Sequence, residues 1–170
     1  MRIVCIESPF KPSVEDIARY QGKYSEAELL RQNLVYAQLA LADSLARGET
    51  PFAAHLLYSQ VCEERDSRMF ESAIAFHHRA DLIVLSVDLG VSNGMRLASD
   101  NAKLIDTELV TRTILDDRDP RKQLAHYKLG SFLELEELQR KESADRKPRG
   151  PQLAAPGRVI PFRRPANANA

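Results

Sequence analysis

Apolar positions in this chain keep two different rhythms. Short dense runs, rich in β-branched and aliphatic residues, recur between longer stretches in which apolar residues return every three or four places. Dense runs of that length read as buried strands, and the longer period reads as amphipathic helix. Residues Arg2–Glu7 (RIVCIE) form the first run, closed by Ser8-Pro9. Thr50–His55 is a second strand candidate, with Pro51 tolerable near its start. Leu82–Asp88 is the clearest, and Glu108–Leu115 is the fourth.

The strongest helical signal lies between the first two runs. Ser25-x-x-Glu28 has the form of a capping box. Behind it Ala27, Leu30, Leu34, Ala37, Leu41 and Leu45 mark one stripe, and Gly48 stands at a plausible C′ position. A short helix is compatible with Val14–Tyr20 inside an otherwise aperiodic loop. Residues 56–66 read as loop, and Ser67–Arg79 as helix. A further helix covers Asn93–Leu104, and a last one starts at Asp119-Pro120 and runs to about Ser143. Strands alternating with helices imply an α/β domain. The expectation is a Rossmann-like (flavodoxin-like) parallel sheet of about four to five strands flanked by helices, with right-handed crossovers.

After Ser143 both rhythms stop. Residues 144–170 are rich in Pro, Gly, Ala and Arg and read as a disordered tail following a domain over 1–143. The net charge of zero conceals a division. Residues 140–170 hold eight Lys/Arg against two acids, leaving sixteen against twenty-two elsewhere. An acidic body argues against nucleic-acid binding by the domain, while RVIPFRRP in the basic tail leaves weak docking to a partner protein or nucleic acid open. No apolar run reaches the roughly 20 residues a membrane span needs. The first apolar run is broken at Glu7 and Pro9, too short for a signal peptide, so a cytoplasmic protein is expected. Cys5 reads as a small buried apolar residue. Cys62 has no Cys neighbour at metal-ligand spacing, so neither a metal site nor a disulfide framework is expected, and no cofactor is expected either.

In open parallel sheets ligands bind beyond the carboxyl ends of the strands. Those ends deliver Glu7-Ser8-Pro9-Phe10, His55, Asp88-Leu89-Gly90 and Arg112-Thr113. The loop VDLGVSNGM (87–95) adds Gly90 and Gly94, which permit positive φ or close approach, and Ser92 or Asn93 as an N-cap. Free N–H groups there suit a phosphate or carboxylate. The loop is neither the dinucleotide fingerprint nor a Walker loop, which leaves a capped turn as the plain alternative. His77-His78 are adjacent and point about 100° apart on a helix, so they are expected at the surface or an interface. Asn33 and Tyr36 interrupt the apolar stripe of the long helix and could face a ligand.

ESPF, YAQLALADSLARGETPFAAHLLYSQ, ADLIVLSVDLGVSNGM and ELVTRTI, in that order over about residues 2–115, resemble the nucleoside 2-deoxyribosyltransferase-like superfamily. They are most similar to an uncharacterised branch common in phage and in bacteria. The resemblance implies a nucleoside or nucleotide ligand, breakage or transfer of an N-glycosidic bond, and a homodimer or larger homo-oligomer. It places the pocket at Glu7–Phe10 and Asp88–Met95. Ser8, Pro9, Phe10, His55, Gly90, Ser92, Asn93, Gly94 and Met95 would then bind substrate. One departure bears on mechanism. Active families carry a Glu shortly after the glycine loop, where this chain has Arg96, Leu97 and Ala98. Glycosyl transfer needs a carboxylate beneath the sugar. Asp88 or Glu7 would have to supply it, with Asp100 a further candidate. Otherwise the domain binds without cleaving, or acts as an interaction platform through its tail.

Overall fold

A computed structural model describes residues 1–58, 67–115 and 118–127, with backbone alone for 67–70. The elements in chain order are β1 (Ile3–Glu7), α1 (Val14–Arg19), α2 (Glu26–Ala46), β2 (Thr50–Phe52), α3 (Ala54–Tyr58), α4 (Ser67–His77), β3 (Leu82–Ser86), α5 (Asn93–Leu104), β4 (Glu108–Arg112) and α6 (Pro120–Ala125). The strands form one sheet in the order β2-β1-β3-β4 with every pairing parallel. That is the expected α/β architecture, with the flavodoxin-like order and its switch point between β1 and β3. Among the described residues no helix is long and apolar enough to cross a membrane.

Alternation along β1 and β3 divides the core. Val4, Ile6, Leu82 and Val84 face Ala40 of α2. Cys5, Ile83 and Leu85 face Met95, Ala98 and Ala102 of α5. Both central strands are therefore buried on two sides, which explains their unbroken apolar runs. Helix α2 begins at the expected cap, with Ser25 Oγ accepting the Glu28 N–H at 3.2 Å, while the Glu28 carboxylate accepts from Arg31 and Gln32. It ends in a Schellman turn: Gly48 N–H reaches Leu45 O, Glu49 N–H reaches Ser44 O, and Gly48 has φ 76°.

Four expectations need correction. The buried face of α2 coincides with the stripe read from the sequence at Ala37, with Leu41 packed beside the core, but not at its ends. Ala27 and Leu45 are exposed, while Leu29, Asn33, Tyr36, Ala37, Ala40 and Ser44 are buried. Polar residues occupy that face because protein groups satisfy them. Asn33 donates to Phe10 O at 2.9 Å and Tyr36 to Asp88 Oδ2 at 2.7 Å, so neither points at a ligand as envisaged. The second strand stops at Phe52, and buried Ala53 and Ala54 let the chain turn at once into α3, where a loop was expected from residue 56. His55 thus sits in a helix rather than on a strand end. Finally, α6 closes at Ala125 with His126 as its C-cap, and the remainder of the helix expected to Ser143 lies outside the described residues. The tail over 144–170 lies outside the described residues.

Candidate functional site

Among the described residues, two concavities of different character lie beyond the carboxyl ends of β1 and β3. The larger is a cleft of about 770 Å³. Its walls are α1 and the chain just after it, the Asp88–Gly90 turn, and the start of α6. The smaller, about 130 Å³, lies on the α4/α5 side and is lined by Glu7, Ala54, His55, Ala73, Ile74, His77, Gly94, Leu97 and Ala98.

Charge in the large cleft is abundant and mostly matched. Arg121 is 2% exposed yet charged. It donates to Asp16 Oδ2 (2.9 Å), Asn33 Oδ1 (2.7 Å) and Leu29 O (3.2 Å), while its Nε has no partner. Asp119 caps α6 and meets Lys23 at 3.3 Å. Burial raises the Asp119 carboxyl, but hydrogen bonds from the Lys122 N–H and Lys23, with the lysine's charge, outweigh it and hold the group below its ordinary value. Asp88 Oδ2 accepts from Tyr36 Oη and from the Ile114 N–H (2.9 Å), while the Asp88 N–H donates to Tyr36 Oη (3.0 Å). This carboxylate ties the end of β3 to α2 and to the chain leaving β4. Burial first, and the Asp88 carboxylate second, push the Tyr36 phenol far up, so it stays a donor. Arg19 and Lys23 lie 5.5 and 5.8 Å from the Tyr20 ring centroid, at cation–π range. Gly90 shapes the turn: its N–H closes on Val87 O at 2.9 Å with φ 89°, a conformation that favours glycine.

The small pocket holds few polar groups, all packed closely. Glu7 Oε1 lies 2.9 Å from His77 Nε2, and His77 Nδ1 lies 3.2 Å from Asn101 Nδ2. With the Asn101 amide donating to Nδ1, the ring proton sits on Nε2 and points at Glu7. Cys5 Sγ is 3.8 Å from the same Glu7 oxygen. Burial, then the Glu7 charge, push the Cys5 thiol well up, so it is protonated. Ser8 Oγ is 3.0 Å from His55 Nε2. Burial pulls the His55 imidazole down, partly opposed by Glu7, which favours the neutral ring.

The residues singled out from the sequence divide between these places. Asp88 and Gly90 line the cleft; Glu7, His55 and Gly94 line the pocket. Ser8 and Pro9 are buried beside the latter, and the Phe10 ring centroid is 6.3 Å from that of His55. Ser92 is the N-cap of α5, its Oγ accepting the Met95 N–H at 3.3 Å, and Asn93 Oδ1 accepts from Arg96. Met95 is core. Those three line neither concavity. Arg112 is held by two bonds to Glu49.

His77 needs the plainest correction. It is buried rather than superficial, because Glu7 and Asn101 satisfy both ring nitrogens. Sequence reasoning also passed over Asp16, Arg19, Tyr20, Lys23 and Arg121, which come from an aperiodic loop and a late helix. The one signal available was Glu7 itself, an acid ending an otherwise apolar strand, which demands a polar partner.

Residues 2–112 match the family model described as Domain of unknown function (DUF7768), and the chain belongs to that family. The match runs from β1 to the end of β4, so it contains the small pocket but not the α6 wall of the cleft. No curated protein matches the chain.

Proposed function

We propose that the domain binds a nucleoside or nucleotide in the large cleft and holds it without cleaving it. The observation that carries this is the cleft itself. It opens between the β1–α2 connection and the glycine turn after β3, at the switch point where open sheets take ligands. At about 770 Å³ it falls in the size range of small-molecule sites, roughly 300–1,000 Å³, whereas the 130 Å³ pocket is too small for a nucleoside. Arg19, Lys23 and the Tyr20 ring offer charge for a phosphate and a face for a base. The resemblance to nucleoside deoxyribosyltransferases points to the same ligand class. Absence of chemistry follows from the acids. Asp16, Asp88 and Asp119 are each engaged by protein donors, and the stretch Arg96-Leu97-Ala98, where the enzymes it resembles carry a Glu, has no carboxylate.

Glu7 favours a second reading. It is a half-buried carboxylate held by His77, and a sugar reaching it would meet the group that N-glycosidic cleavage needs. One experiment separates the two. The pure protein is incubated with nucleosides and nucleoside monophosphates, with thermal stability and free base both followed. A raised melting temperature with intact ligand supports binding alone. Free base that disappears in Glu7→Gln supports the second reading. No shift and no base with any ligand overturns both.

A further inference from the structure

Cys5 and Glu7 stand two residues apart on β1, so their side chains leave the same face of the sheet. That face is covered by α4 and α5, and the last turn of α4 brings His77 to them. The Cys5 sulfur, a Glu7 oxygen and a His77 ring nitrogen all lie within 4.8 Å of one another. A tetrahedral zinc ion with ordinary bond lengths would set its ligand atoms about 3.4–3.6 Å apart. The Cys5–Glu7 separation of 3.8 Å lies close to that range, and the Glu7–His77 hydrogen bond of 2.9 Å must open by about 0.5 Å to admit the ion.

Two further features suit a cation. Asn101 stands against the other nitrogen of His77, its Nδ2 3.2 Å away, and by turning its amide would present Oδ1 as the acceptor that orients a ligating imidazole. Glu7 and His77 also form part of the wall of the 130 Å³ pocket, so a fourth position would open into a space sized for water or a small group. Three protein ligands and one open position is the pattern of reactive rather than purely structural zinc sites.

We propose that Cys5, Glu7 and His77 form a site for a zinc-class divalent cation, with its fourth position open to the small pocket. This goes beyond the ligand reading and does not rest on it, since the cleft and this cluster lie on different sides of the sheet. Binding exchanges protons for metal. The Cys5 thiol proton leaves to solvent. The His77 proton moves from Nε2 to Nδ1, where Asn101 accepts it by presenting Oδ1. One proton is released per cation, and Glu7 is then withheld from sugar chemistry.

The test is titration of Co²⁺ into the metal-stripped full-length chain, followed by absorption. The expected result is one cobalt per chain, intense visible bands of a four-coordinate ion, and a near-ultraviolet thiolate-to-cobalt band, all displaced by Zn²⁺. Cys5→Ser removes the near-ultraviolet band and Cys62→Ser leaves it. Asn101→Ala keeps the band and weakens cobalt about 10- to 100-fold. No near-ultraviolet band in the wild type, or a band that survives Cys5→Ser, overturns the proposal.

Discussion

The cleft and the pocket sit beyond the same strand ends but solve opposite problems. The cleft is large and charged, and it neutralises itself: Asp16 against Arg121, Asp119 against Lys23, Asp88 against Tyr36 and a backbone N–H. The pocket is small and mostly apolar, and its polar groups crowd onto one carboxylate, Glu7. Concavity alone therefore does not locate chemistry. Room to bind is on one side of the sheet, and the concentrated nitrogen, oxygen and sulfur donors are on the other.

The contrast breaks most visibly at Arg121. Replacing it with Ala leaves Asp16 and the Leu29 and Asn33 acceptors without their donor, and breaking such a buried pair costs about 3–5 kcal/mol. Urea unfolding should show a loss of that size. A change below about 1 kcal/mol would mean the cleft does not depend on its internal pairing. Tyr36→Phe is milder. It removes one donor from Asp88 and the acceptor of the Asp88 N–H, and should cost about 1–3 kcal/mol by the same measurement. Ser92→Ala removes the N-cap of α5, the helix that covers the pocket. A loss of about 1 kcal/mol is expected, visible as a lower thermal midpoint with ligand binding in the cleft unaltered.

The pocket side has its own signature in acid. His55 is held below its ordinary value of 6.5 by burial. Between that value and the lower folded one, the unfolded chain takes up a proton that the folded chain refuses. Stability should therefore be unaffected by this residue above 6.5 and should fall as the pH drops through the window beneath it. Unfolding free energies across that range, for wild type and His55→Asn, check the sign. A wild-type curve no steeper than the variant's removes His55 as the cause. The smallest effect belongs to surface pairing. Lys103→Ala, losing a 3.3 Å contact with exposed Asp100, should change stability by less than about 0.5 kcal/mol.

Much of the fold was legible because burial writes itself into sequence. Leu82–Ser86 is buried at every position and reads as a strand without help. Ser25, Gly48, Ser92 and Asp119 act through local hydrogen bonds, so their caps could be named from neighbours alone. The face of α2 was misread because Asn33 and Tyr36 are buried by partners 23 and 52 residues away, which no local period records. The site was half legible for the same reason. Strand ends pointed to Glu7 and Asp88. That His77 would turn inward to Glu7, 70 residues back, and that Asp88 would be consumed by Tyr36, are facts of tertiary contact.

The most direct test is calorimetric titration of a nucleoside monophosphate into the wild type, Arg19→Glu and Glu7→Gln. Binding in the large cleft predicts that Arg19→Glu loses the heat of binding while Glu7→Gln keeps it, with the ligand recovered intact. Binding that survives Arg19→Glu and is lost in Glu7→Gln would place the ligand in the small pocket and contradict the account.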